Sequence, residues 1–382
     1  MQYKRLFPLA VASVVSAQTP SLTDALGSQN SSLSSLNDIL SSNPEIAASF
    51  NNLKNVTILA PSNDALESLV KDTDTLSRFT KSGYLQALLS YHVLNGTYHN
   101  TSFTNESIFI HTSLDNSTYS NVTGGQVVEA RLHDNNVTFF TALKQNASIV
   151  TANVNFTGGT IHIIDGLLSI PQNVSDTLSN SNLTAAEGAI QTANLTDSII
   201  GTQNVTIFAP NNDAFAAIGS ITGNLSADDL KDVIGYHVLN GSVNYSTNLR
   251  NSTANAINGK KLTITVENGT IYVNSAKVTV PDILLANGVV HVIDGVLNPN
   301  NTSATPDPTA TSTAAAFSGA SSGTDGIPFT SGVTTPTSTF PAATSAGGSG
   351  ESSSSKGAAM PMKTGAIGAA ALFGGAAAFV NL

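Results

Sequence analysis

Four of the seven histidines fall in two matched pairs. His92 and His237 each occupy a Tyr-His-Val-Leu-Asn-Gly segment, and His162 and His291 each sit in an apolar run that ends Ile-Asp-Gly. An imidazole titrates at about 6.5 and serves as acid, base or metal ligand, so a set present twice could be a duplicated acid–base or metal site. The alternative is a buried neutral imidazole hydrogen-bonded to backbone. The stripe Leu85, Leu88, Leu89, His92, repeated as Leu230, Val233, Ile234, His237, favours that alternative, because it puts the histidine on the apolar face of a helix. Asp64 and Asp213, and Asp165 and Asp294, sit where helix caps and turns need acceptors. Gly319-Ala-Ser-Ser-Gly323 has the spacing of a nucleophile elbow but lacks the strand and helix that strain the turn and expose the serine. No His-Glu-x-x-His, phosphate-binding loop, dinucleotide loop or cysteine ligand set occurs. No catalytic, cofactor-binding or metal-ligating residue is therefore assigned, and the chain is expected not to be an enzyme.

The elements around these residues come from a duplication. Asn55-Val-Thr-Ile-Leu-Ala-Pro-Ser-Asn-Asp-Ala-Leu66 matches Asn204-Val-Thr-Ile-Phe-Ala-Pro-Asn-Asn-Asp-Ala-Phe215, the two Tyr-His segments are identical, and Gly159–Leu168 matches Gly288–Leu297. Ordered matches at unequal spacing mean two globular domains rather than a solenoid. The first copy is longer around 97–123, which places an insertion in its loops. Val205–Ala209 reads as a buried strand closed by Pro210, with Asn212 or Asp213 capping a short helix through Ile218. Ser226 and Asp229 have capping-box spacing. Asn268-Gly269 divides an alternating stretch, which predicts a two-residue hairpin turn. Helices in front and strands behind make each copy an α+β domain with a compact β-sandwich-like core and short helices.

The boundaries follow from composition. Residues 1–17 carry Lys4 and Arg5, an apolar run and Val15-Ser16-Ala17, the pattern of a secretory signal peptide. The first domain is expected over 18–171 and the second over 178–299. Residues 300–356 are rich in Ser, Thr, Ala, Pro and Gly and predict an extended stalk. Residues 357–382 end in an apolar Ala/Gly stretch without a basic flank, the order of a removable lipid-anchor signal; a spanning helix needs about 20 apolar residues and usually such a flank.

The chain has no cysteine, so each domain must hold by core burial alone. Only 10% of residues are charged and the net charge is −10, which argues against a nucleic-acid partner. N-glycosylation acceptors are dense and include Asn55, Asn95, Asn116, Asn136, Asn155, Asn204, Asn240, Asn268 and Asn301. In an exported protein these predict glycans on exposed loops.

The blocks resemble the fasciclin (FAS1) domain: a Thr-Ile-Phe-Ala-Pro-Asn-Asn-Asp-Ala-Phe motif, a central Tyr-His, and a final Asn-Gly-Val-Val-His-Val-Ile-Asp-Gly-Val-Leu. The second copy fits all three. The first departs at the last, with Gly158-Gly159-Thr160 in place of Asn287-Gly288-Val289, and with Ala152-Asn153-Val154 where an Asp-Ile pair is expected. The resemblance implies two tandem FAS1-type domains in a surface protein of the adhesion or matrix-contact class, with stalk and anchor like those of fungal wall-associated members. It also implies that Tyr236, His237, Asp282 and Ile283 are the candidate contact residues. The Tyr-His helix itself faces mostly the core, so its part in a contact would be indirect. Asp282 follows Pro281 in an expected loop, where an exposed carboxylate beside an apolar side chain can serve a contact; the other reading makes Asp282 a plain turn residue with Ile283 packed inward. The second domain is expected to carry most of the adhesion, with the first mainly a spacer. The expected partners are wall or matrix glycans or surface proteins, with a lipid anchor as the link to the membrane and no cofactor. Location is expected at the cell surface, on plasma membrane or wall, the alternative being the vacuole. A glycan-active or hydrolytic enzyme, which would need two facing carboxylates, and a lipid or small-ligand module, which would need an apolar pocket, remain as other readings.

Overall fold

The computed structural model describes residues 19–69, 83–309, 313–324 and 326–334. The expected signal peptide and anchor signal lie outside these residues.

In the first copy, helices Leu22–Ser28, Asn30–Ser42 and Pro44–Asn51 precede β1 (Val56–Pro61), and helix Tyr84–Tyr91 leads into β2 (Val93–Asn95). Strands β3 (Ile108–His111), β4 (Val127–His133), β5 (Asn136–Phe140), β6 (Asn146–Phe156) and β7 (Gly159–Ile164) follow. They form one seven-stranded sheet in the order β2-β1-β7-β6-β5-β4-β3. Only the β1–β7 pairing is parallel; the others run antiparallel. A bridge between Leu94 and Thr112 brings the two ends together, so the sheet nearly closes on itself.

The second copy repeats the plan. Helices Val174–Asn180, Thr184–Thr192 and Thr196–Gly201 lead to β8 (Val205–Pro210), and helix Ala227–Tyr236 leads to β9 (Val238–Leu239). Strands β10 (Ser252–Asn255), β11 (Lys261–Glu267), β12 (Thr270–Val273), β13 (Ala276–Leu285) and β14 (Gly288–Ile293) complete a sheet ordered β10-β11-β12-β13-β14-β8-β9.

The sandwich-like core arises from a single folded sheet. The long strands β6 and β13 serve both halves, and register shifts at Ile149/Thr151/Val154 and Val278/Val280/Ile283 mark bulges that bend them. A bulge adds twist and re-aims the strand. Inside the fold of the first copy lie Leu59, Val128 and Phe139; on its outer side Ile58 and Ile161 meet Leu33 and Leu36 of the helical layer. β1 and β8 are covered on both faces, and all six residues of each are buried, which is why they read as unbroken apolar runs. Gly159 and Gly288 open the last strands because the parallel partner leaves no room there. A Cβ at either would sit 1.9 Å from the carbonyl oxygen of Val56 or Val205.

Local chemistry agrees with the sequence in two places and differs in a third. Ser226 and Asp229 form the capping box, and Asn268 and Gly269 both take positive φ, 51° and 78°, in the β11–β12 turn. The helix Asn212–Ala217, however, is capped one residue earlier than expected, by Asn211, whose side chain accepts from Ala214 N at 2.8 Å. Asn212 is used instead to bind the neighbouring helix start, accepting from Ala185 N and donating to Asn182 O.

The stalk expectation is corrected over its middle part. Residues 313–324 and 326–334 lie along the second domain: Phe317, Ala320 and Phe329 pack against its helical core, the Phe329 ring meets Phe215 edge-on at 5.8 Å, and Ser220 and Ser321 exchange hydrogen bonds. Composition was dominated by small polar residues and hid two phenylalanines that supply enough apolar area to dock the segment. Gly319–Gly323, the elbow-like motif, is part of this strap, and among the described residues no strand leads into it and no helix follows it in the chain.

Candidate functional site

The Tyr-His pairs close the core. Tyr91 and Tyr236 are 0% exposed; their hydroxyls donate to Val127 O at 2.9 Å and Lys261 O at 2.7 Å. His237 caps its helix from inside: Nδ1 lies 2.7 Å from Val233 O, and Nε2 accepts from Leu297 N at 2.9 Å. His92 repeats this with Leu88 O at 2.7 Å and Leu168 N at 3.0 Å. The bonds define the tautomer, with Nδ1 as donor and Nε2 as acceptor. Burial pushes both rings down to about 4, against the opposing pull of the carbonyl bond, so they are neutral at physiological pH. Each histidine ties the helix end to the chain leaving the last strand.

The second histidine pair supports the bulges. His162 and His291 are fully buried, on β7 and β14. Their Nε2 atoms lie 2.8 Å from Tyr98 O and Asn244 O, and their Nδ1 atoms accept from the backbone of Asn153 and Asp282 at 3.2 and 3.3 Å. Burial lowers both, with the Asp282 carboxylate acting in the other direction on His291. All four duplicated histidines thus have both ring nitrogens engaged with backbone. Asp165 and Asp294 accept from Ser148 N and Lys277 N. Among the described residues no cluster of three His, Cys, Asp or Glu could hold a metal ion.

The loop placement expected for Asp282 needs correction. Asp282 is 2% exposed, not displayed on a loop; it lies in the β13 bulge with φ 62° and accepts from Ser246 N at 2.7 Å and from the Ser246 hydroxyl. Ile283 is buried in the helical core, and Tyr236 and His237 are buried as described. The Pro281-Asp282 pair looked like a loop because proline and aspartate usually mark one; here they mark a strand bulge. All four side chains are therefore buried. The first copy's apparent departure is the same structure in a different residue: Asn153 takes φ 60° in the β6 bulge and accepts from Asn100 N at 3.0 Å. Gly158 stands in place of Asn287 because a Cβ there would lie 2.3 Å from Leu53 O.

Sequence reasoning missed the junction between the domains. The Phe109 and Tyr245 rings stack at 4.0 Å with 10° between planes, beside Val127, Leu284 and Val289. Buried Gln126 donates to Leu285 O at 3.0 Å, Asn121 N donates to Ala286 O at 2.7 Å, and Asn204 exchanges two bonds with Thr123. Burial pushes the Tyr245 hydroxyl up, with Asp282 adding to the effect. The insertion of the first copy therefore docks onto the second domain instead of projecting as a free loop. Its extra length was the signal available; nothing local told where it would land. Two clefts flank the junction. One, of about 420 Å³, is lined by Lys144, Asn182, Asp213 and Ile327; Lys144 is paired there with buried Glu129 at 2.7 Å. The other, of about 550 Å³, is lined by Tyr84, Tyr119, Thr118, Gln172, Asn173 and Ala286 among others.

Comparison with known proteins gives one consistent result. The fasciclin domain family model matches residues 31–171 and 181–299. Over 313 residues the chain is 36% identical to a fasciclin-like arabinogalactan protein of Arthroderma benhamiae, covering 81% of this chain and 74% of that one. A fasciclin-like arabinogalactan protein of Phaeosphaeria nodorum is 28% identical over 77% of this chain and 92% of its own length. Among solved structures, a FAS1 domain pair from the insect cell adhesion molecule fasciclin I is 20% identical over 69% of this chain and 96% of that chain, with a TM-score of 0.34.

Proposed function

This chain belongs to the fasciclin family, and from that premise we propose that it is a non-enzymatic surface glycoprotein that meets wall or matrix components through a two-domain head. The observation that carries this reading is the junction. Stacked aromatics, a buried glutamine and the insertion couple the two domains, so a partner meets one continuous surface rather than two independent modules. A coupled head loses less orientational freedom on binding than a flexible pair does. Support also comes from the relatives, which are named fasciclin-like arabinogalactan proteins, and from the duplicated histidines, whose ring nitrogens all serve backbone hydrogen bonds.

The ends of the chain support export and tethering. The basic-then-apolar start reads as a signal peptide, and the Ala/Gly-rich tail as a lipid-anchor signal. In this reading the tether is residues 335–356 together with the anchor, the head is the two domains with their docked strap, and N-glycans keep a weakly charged surface soluble. Its partners are wall or matrix glycans or surface proteins.

The experiment is a glycan array together with a cell-aggregation assay on the secreted ectodomain, and phosphatidylinositol-specific phospholipase treatment of cells making the full chain. Saturable binding or aggregation, and release into the supernatant alongside a lipid-anchored control, are expected. Absence of any attachment rejects the adhesion role. Retention in the membrane pellet, while the control is released, rejects the anchor.

A further inference from the structure

Two glycan acceptor sequences meet at the domain junction, Asn121-Val-Thr123 from the insertion and Asn204-Val-Thr206 at the start of β8. They are placed differently. Asn204 spends its amide on the junction: Nδ2 donates to Thr123 Oγ1 at 2.7 Å and Oδ1 accepts from Thr123 N at 2.9 Å. A sugar on that nitrogen would stand between the domains. Asn173 lines the adjacent cleft but is committed to capping its helix, with Oδ1 accepting from Asp176 N at 2.9 Å and Nδ2 donating to the Asp176 carboxylate at 3.0 Å. Asn121 also lines the cleft, is half-buried, and its side-chain amide makes no hydrogen bond among the described residues.

The cleft suits a sugar. It offers about 550 Å³, within the size range of small-molecule sites. Tyr84 and Tyr119 meet edge-on at 5.8 Å in its wall, with hydroxyl and amide side chains around them and Asp176 as the one carboxylate. Ser120 Oγ and Asn287 Oδ1, in the same wall, are buried without a hydrogen-bond partner among the described residues. Such atoms cost about 1 to 3 kcal/mol when left unpaired, and a polyhydroxyl occupant is the kind of group that supplies partners.

We propose that Asn121 carries an N-linked glycan whose inner sugars fill this cleft, and that Asn204 remains unmodified because its amide forms the junction. The inference rests on the reading of the chain as an exported glycoprotein. The glycan would then act as a wedge that seals the groove between the domains on one side.

The test is glycopeptide mass spectrometry on the full chain made in a secretory host, with Asn268 as internal reference because it lies exposed at the tip of the β11–β12 hairpin. Asn121 and Asn268 are expected modified and Asn204 bare. Release by peptide-N-glycosidase from the native protein is expected to be roughly tenfold or more slower at Asn121 than at Asn268, because the cleft must open first; after denaturation the two rates should match. Asn121 bare while Asn268 is modified overturns the inference alone. Both bare overturns the glycoprotein reading beneath it. A glycan on Asn204 overturns the junction argument, and equal native release rates overturn the seating in the cleft.

Discussion

Asp282 and Asn153 hold the same position in the two domains. Each lies in a strand bulge in left-handed backbone, φ 62° and 60°, each donates its backbone N–H to the Nδ1 of a buried histidine, and each accepts with its side-chain oxygen from a backbone N–H of the 98–102 or 244–248 segment. Asn and Asp are the side-chain-bearing residues that tolerate this backbone best. Asp282→Asn is therefore expected to cost under about 1 kcal/mol, since Asn153 already performs the task, donating from Nδ2 to Asn100 Oδ1. Asp282→Ala is expected to cost about 2 kcal/mol or more, from backbone strain and the unpaired Ser246 N–H. Urea unfolding of both variants decides; equal losses would mean the carboxylate charge itself is required.

The buried histidines predict acid lability. Their folded pKa of about 4 lies below the ordinary 6.5, so between those values the unfolded chain binds protons that the native rings refuse. Their contribution is complete above pH 6.5, falls as the pH drops toward about 4, and declines no further below that. The slope is at most about 1.4 kcal/mol per pH unit for each ring. His237→Gln is expected to lower stability at pH 7 by about 1 to 3 kcal/mol and to flatten this slope by one ring's share. An unchanged slope in melts from pH 7 to 4 would show that His237 titrates normally.

The junction should behave as a coupled interface. Phe109→Ala and Tyr245→Ala, singly and together, form a double-mutant cycle across the stacked rings. A coupling of about 0.5 to 1.5 kcal/mol is expected for an aromatic pair. Separation of one unfolding transition into two, in either single variant, is the accompanying sign that the domains have come apart. Strictly additive losses would place the rings in contact without energetic consequence.

The docked strap can be tested at one glycine. A Cβ on Gly188 would lie 1.7 Å from Phe329 O, so Gly188→Ala must displace the strap. The helix Thr184–Thr192 itself should gain slightly, since Ala is favoured over Gly in a helix by about 1 kcal/mol. Limited proteolysis within 313–334 is expected to become several-fold faster while the second domain stays folded. Phe329→Ala should do the same by removing the ring that meets Phe215. Unchanged cleavage in both variants would show that the segment is not held there.

Much of the fold was legible because it depends on local pattern. The central strands Val56–Pro61 and Val205–Pro210, the capping box at Ser226 and the hairpin turn at Asn268-Gly269 follow from apolar periodicity and turn chemistry, which act over a few residues. The duplication and the family resemblance were legible for the same reason: the repeated blocks contain the paired central strands β1, β7, β8 and β14, which are buried along nearly all their length. Burial of His237 could be read from its helical stripe. What only the tertiary structure decided depends on partners distant in sequence. Asp282 looks like a surface residue until the β13 bulge turns its carboxylate toward Ser246, 36 residues earlier. Phe317 and Phe329 look like part of a stalk until the helical layer of the second domain offers them a surface. The insertion looks like a free loop until Asn121 N reaches Ala286 O and Thr123 meets Asn204 in the other domain. Local propensity carries no term for such contacts, because their energy exists only once both surfaces have formed.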